Sequence, residues 1–271
     1  MALVPVPEQA SPDPEDDAPR PTDPAEPDDA GGKMSFLDHL DELRKRLVVS
    51  TVALVVGVLI CFGFIGYIFD FIMEPLTDVL PDGGTLVFTE PTEAFFLNIK
   101  MAALAGLMLA TPVILWQVWL FVAPGLYANE KKFAIPFVVL ATGFFIGGAL
   151  FAHYILFPVA WRFFASYGSA ILAFMPRIQP AFSLYVKLVL ACAVVFQLPT
   201  VMFFLARMGV VTPGFLIRNI KYAILGMSIF AAVLTPTGDP VTWSLMFLPT
   251  FALYGLSIVI AWAFAKRDVD E

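Results

Sequence analysis

Six apolar stretches run through the chain, near residues 47–69, 94–121, 133–157, 182–206, 221–235 and 241–264. About 20 such residues, wound as helix, cross a hydrocarbon core of ~30 Å. Inside a bilayer every backbone N–H and C=O has to be satisfied within the segment itself, which makes helices the natural solution for runs of this composition. The chain therefore reads as an all-α integral membrane protein with six transmembrane helices. Composition agrees, with 59% hydrophobic and 14% charged residues among 271, well outside the globular balance.

Six spans place both termini on one side of the membrane. Lys33, Arg44, Lys45, Arg46, Lys131, Lys132, Arg207, Arg218, Lys221, Lys266 and Arg267 fall on that side, against Lys100, Arg162, Arg177 and Lys187 on the other. The bias of basic residues toward the cytoplasm then puts both ends inside. The outer loops are expected at 70–93, around 158–181 and at the short PTGDP turn, 236–240. The net charge of −7 belongs to residues 1–33, which hold nine acids, eight prolines and only Arg20 and Lys33 as bases. That stretch has too little apolar surface to offset the entropy of ordering it. It reads as a disordered cytoplasmic tail, ahead of a membrane domain at 34–265 and a short cytoplasmic end at 266–271.

Pro112, Pro136, Pro199 and Pro249 lie in or beside the spans, and each removes a backbone donor and favours a kink. The fifth span is short. Only Tyr222 to Leu234 separates Lys221 from Thr235-Pro236, about 20 Å of helix at 1.5 Å per residue. A span that short thins the bilayer locally or needs shielding by its neighbours.

The first span is entered through MSFLDHLDELRKRLVVS, residues 34–50. Ser35 and Asp38 fit a capping box, which starts a helix at Phe36. Phe36, Leu40, Leu43 and Leu47 then form an apolar stripe. Asp41 with Lys45 and Glu42 with Arg46 are acid-to-base pairs four apart in the favourable order. Lys45 and Arg46 serve topology, but topology requires no acid at Glu42. A second charged loop on the same side, VWLFVAPGLYANEKKF at 118–133, carries Glu130, which as a residue type alone is a favourable acid at a helix N-terminus. Two carboxylates on one membrane face suit a ligand with two guanidinium groups, because each planar fork makes paired hydrogen bonds to one carboxylate.

HLDELRKRL, EPLTDVLPDGGTLVFTEPTEAFF, TPVILWQVWLFVAPGLYANEKK, FQLPT and LTPTGDP occur in this order. In these motifs the chain resembles the TatC family, the polytopic subunit of the twin-arginine protein translocase, across residues 34–265. The resemblance implies six helices in a concave, glove-like arrangement in the cytoplasmic membrane of a prokaryote. It further implies a receptor for twin-arginine signal peptides of folded cargo that organises TatA and TatB subunits, associates with further copies of itself amid membrane lipids, and works from the proton-motive force. By the same resemblance Glu42 and Glu130 contribute to the site for the paired arginines, Arg44 and Phe121 fall on positions linked to function, and Pro75 and Pro112 shape the backbone. No cofactor, metal or nucleic acid is called for.

Gln197 in FQLPT stands where many relatives of that family have a glutamate. It cannot ionise, and a polar side chain at that depth is costly unless paired. Gln197 is therefore expected to face a polar group on a partner helix, with a backbone carbonyl freed by Pro199 as the alternative. Asp239 matches an acidic position near the outer mouth, and its default reading is a solvated turn aspartate. His153 reads as an interfacial packing residue. Cys61 and Cys192 stand alone, and the two histidines sit in no constellation of nucleophile, base or metal ligands that an intramembrane enzyme needs. A proton-coupled solute transporter would want ionisable residues near the midplane, whereas Lys100 and Lys187 are expected near span ends.

Overall fold

A computed structural model of the chain describes residues 36–80, 86–122, 134–167, 175–235 and 239–264. The chain divides into a unit ending at Leu40, described only from Phe36, and a second unit from Asp41 to Glu271. The helices are α1 (Phe36–Gly63), α2 (Ile65–Thr77), α3 (Glu93–Val122), α4 (Ala134–Phe151), α5 (Phe157–Ala165), α6 (Ile178–Val195), α7 (Leu198–Arg207), α8 (Pro213–Arg218), α9 (Ile220–Leu234) and α10 (Pro240–Phe264). A π-helical turn, Ala152–Leu156, joins α4 to α5.

Among the described residues five segments are long and apolar enough to cross a membrane: His39–Gly63, Glu93–Val122, Ile135–Ala165, Ile178–Arg207 and Pro240–Ala263. A sixth apolar helix, Ile220–Val233, is shorter, as the spacing of Lys221 and Pro236 requires. Helix α1 begins at Phe36, where the capping pattern puts it; Ser35 lies outside the described residues. The expected outer loops prove partly helical, since α2 continues to Thr77 and α5 to Ala165. Hydropathy marks the apolar stretch, whereas an amphipathic helix such as α2, with Asp70 and Glu74 on exposed positions, runs on past it.

The prolines act less uniformly than their chemistry suggests. Pro112 and Pro249 lie inside unbroken helices, α3 and α10. Pro136 is the third residue of α4, where no helical donor is lost. The fourth span does break, at Phe196–Gln197, and Pro199 sits in the first turn of α7 that follows.

In lipid an apolar side chain gains nothing from leaving water, so helices associate through close packing and interhelical hydrogen bonds. Both are present. Leu76, Met101, Leu156, Phe157, Phe182 and Leu188, from α2, α3, the π turn, α5 and α6, are at most 1% exposed and form one cluster. A second joins α7 through α10 around Leu216, Met227, Tyr254 and Ala261. Helices α1 and α3 meet through glycine on glycine: a Cβ on Gly57 would lie 2.7 Å from the Gly106 carbonyl oxygen, and one on Gly106 would lie 2.6 Å from the Val58 nitrogen. Among the described residues of α1, only Gly57 and Cys61 are buried. Trp161 Nε1 donates to the Leu76 carbonyl at 3.1 Å, filling one of the acceptors left over at the end of α2. Trp243 Nε1 ties α10 to the Ser228 carbonyl of α9 at 3.1 Å.

Candidate functional site

At the start of α1, Glu42 and Arg46 form the expected pair one helical turn apart, with Arg46 Nη2 2.9 Å from Glu42 Oε1. Asp41 and Lys45 are exposed and make no ion pair among the described residues. The Glu42 side chain is only 15% exposed. Its second oxygen, Oε2, is closed off from solvent and accepts no hydrogen bond, and Arg46 Nε is likewise shielded and without an acceptor. A carboxylate at the head of a span thus holds one oxygen committed and one open, an arrangement with capacity for a further cationic donor.

Arg44, two residues on, is exposed and occupies a different face of the helix from Glu42. Leu43 and Leu47, from the predicted stripe, are 44% and 64% exposed, as an apolar face turned to lipid would be. Glu130 lies outside the described residues. The helices on either side of it are fixed by an aromatic cluster: Trp119 near the end of α3, 3% exposed, packs with Phe137 of α4 at 4.7 Å and Phe204 of α7 at 6.0 Å between ring centroids. Phe121 is half-buried two residues beyond Trp119. Pro75 is buried in α2, whereas Pro112 is exposed on α3.

Gln197 caps the break in the fourth span, and its Nε2 donates to the Ala141 carbonyl of α4 at 2.9 Å. The acceptor is a backbone carbonyl, but of a neighbouring helix of the same chain and not the one freed by Pro199. Asp239 departs from the solvated-turn reading: it is 5% exposed, and its Oδ1 accepts from the Thr242 N–H at 2.6 Å, an N-cap for α10. Its carboxylate faces the helix it starts.

Three polar features carry no sequence signal strong enough to predict. Glu93, with a side chain 2% exposed, pairs with Arg177 Nη2 at 2.9 Å. Its Oε2 accepts from the Thr89 N–H at 2.9 Å, and Arg177 also bonds the Thr89 hydroxyl. A parallel bridge between Val87 and Arg177, with bonds of 3.1 and 3.0 Å, fastens the segments before α3 and α6. His153, in the π turn, is 2% exposed, shares a 2.9 Å hydrogen bond with Tyr185 and stacks on Phe71 at 4.2 Å. It is a packing residue, as expected, and a fully buried one. An acid at the head of an apolar run is the one hint that could have drawn attention to Glu93.

Fold and site together define a multi-pass helical membrane protein with a half-satisfied carboxylate at the head of its first span. Residues 38–249 match the family model described as TatC, Sec-independent protein translocase protein. The chain is 42% identical over 240 residues to the Sec-independent protein translocase protein TatC of Desulforapulum autotrophicum, covering 88% of each chain. It is 41% identical over 223 residues to that of Helicobacter pylori, covering 82% of this chain and 87% of the relative. Among solved structures, a crystal structure of the twin arginine translocase receptor TatC superposes with a TM-score of 0.71 at 34% identity, over 83% of this chain and 99% of that one. The same receptor in DDM gives 0.72 at 35% identity, over 82% and 99%. The chain belongs to the TatC family. It is a multi-pass subunit of the twin-arginine protein translocase, a transport component and not an enzyme.

Proposed function

We propose that this subunit is the receptor for twin-arginine signal peptides, gripping the arginine pair at Glu42 and Glu130 on the cytoplasmic face of the cytoplasmic membrane, with both termini inside. The observation that carries this reading is the state of Glu42: Oε1 held by Arg46, Oε2 shielded and without a partner. Arg46 acts as a resident counter-ion to the carboxylate at the membrane surface. An incoming guanidinium displaces Arg46, or engages the unpartnered Oε2 once the groups that shield it move aside, and the apolar part of the peptide packs along the spans. Coulomb attraction between partly exposed groups is modest, so selectivity comes from forked hydrogen-bond geometry that lysine lacks. Arg44 and Phe121 flank this site, while Pro75 and Pro112 set the course of the helices behind it.

The occupied receptor then assembles with TatA- and TatB-type single-span subunits and further receptor copies, and the proton-motive force drives export of the folded cargo. The 15-residue α9 makes the α7–α10 region the thin part of the molecule and the natural place for a single-span partner. Gln197 holds α4 to the break in the fourth span, and Val194 and Val201, three residues before and four after it, are 60% and 48% exposed. That face is the partner contact at this level.

The test is binding of the purified full chain in nanodiscs to a signal peptide with Arg-Arg and to its Lys-Lys counterpart, with E42Q and E130Q beside the parent. A preference for Arg-Arg that both substitutions remove supports the receptor site. Equal binding of the two peptides, unchanged in either folded variant, would return the opening stretch to a topology anchor.

A further inference from the structure

Lys100 and Lys187 stand seven and nine residues inside α3 and α6, within segments that cross the membrane. Both are exposed, and neither makes a hydrogen bond or ion pair among the described residues. An ammonium in a span is costly unless paired or carried to the interface on its own stem. The two lysines line one cavity of about 450 Å³ between α3 and α6, whose other walls include Leu104, Leu107, Val186 and Leu190, with Phe182 as its buried floor. Seven and nine residues of helix, about 10 and 14 Å, put the lysines in the first third of their 30-residue segments, from which a lysine stem carries its ammonium back toward the level of the lipid phosphates.

We propose that this groove is a binding site for one anionic phospholipid in the leaflet at which α3 and α6 begin. Lys100 and Lys187 hold the phosphate between them, and an acyl chain lies along Leu104, Leu107, Val186 and Leu190. The charge pattern selects this occupant: two cations with no counter-ion among the described residues, above a wall whose single further polar group, the Ser183 hydroxyl, cannot pair the successive N–H and C=O groups of a peptide backbone. A zwitterionic lipid brings its own ammonium to a site that already has two. The site is separate from the carboxylates of the signal-peptide reading and does not depend on it.

The experiment is native mass spectrometry of the full chain in a mild non-ionic detergent, titrated with phosphatidylglycerol, phosphatidylethanolamine and phosphatidylcholine of identical acyl chains. One phosphatidylglycerol should be retained in preference to either zwitterionic lipid. Each lysine near a lipid surface contributes on the order of fivefold, so K100Q and K187Q should each weaken that binding about fivefold and the double variant about 25-fold, down to the level of phosphatidylcholine. K100R and K187R, which keep the charge, should retain it and show that the fold tolerates change at both positions. Free glycerol phosphate should not compete, which separates a lipid site from a plain anion site. Equal retention of the three lipids would overturn the proposal and point to a carboxylate on a protein helix as the lysines' partner. Preference for phosphatidylglycerol that survives in the double variant, or competition by glycerol phosphate, would overturn it as well.

Discussion

Two glutamate–arginine pairs sit at the heads of two spans, both at 2.9 Å, and they are not the same kind of object. Glu93 is 2% exposed and has both oxygens filled, one by Arg177 and the other by the Thr89 N–H, through a contact that joins residues 84 positions apart. Glu42 is 15% exposed, bonds only to a neighbour one turn along its own helix, and keeps an oxygen open. A satisfied pair that fastens two distant segments is architecture. A half-satisfied pair within one helical turn ties no two distant segments together and is available for exchange, because the bond given up with Arg46 is local to α1.

The sharpest way to break the comparison is E93A. It orphans the Thr89 N–H and unties the segments before α3 and α6, so thermal unfolding in detergent should shift down by roughly 5 °C or more. Next in size is E42Q, which should weaken Arg-Arg peptide binding by about tenfold, the scale of one charged hydrogen bond, while leaving the melting temperature within about 2 °C. An E42Q protein that melts as low as E93A would make Glu42 architectural too. R177A should cost less than E93A in the same unfolding assay, because the Arg177 side chain is 51% exposed and surface charges contribute modestly. R46A is the smallest: a surface pair four apart is worth about 0.2–0.5 kcal/mol to its helix, and freeing Glu42 should leave Arg-Arg peptide affinity unchanged or raise it up to about twofold.

What the sequence makes legible divides along the same line. Glu42 with Arg46, the start of α1 at Phe36 and the short α9 all follow from spacing along the chain, and each is found where spacing puts it. The Glu93–Arg177 pair depends on two segments that only the fold brings side by side, and nothing local announces it. The same holds for the contact of Gln197 with Ala141, 56 positions apart. Asp239 shows a subtler limit. Its place at a break between apolar stretches is readable, but whether the carboxylate points to water or back onto α10 is decided at the helix start itself. The π turn at Ala152–Leu156 adds a residue to a helix whose hydropathy is unbroken, so no periodicity argument isolates it.

The crossing of α1 over α3 at Gly57 and Gly106 makes α1 a lever. A rod gripped over the turn from Gly57 to Cys61 and otherwise little buried pivots there, and Gly57 divides it unevenly. Fifteen residues, about 22 Å of helix, reach back to Glu42, and six, about 9 Å, run forward to Gly63. Under the proposed receptor role, a displacement of the long arm at Glu42 is therefore delivered at the junction with α2 reversed in direction and reduced to less than half its size.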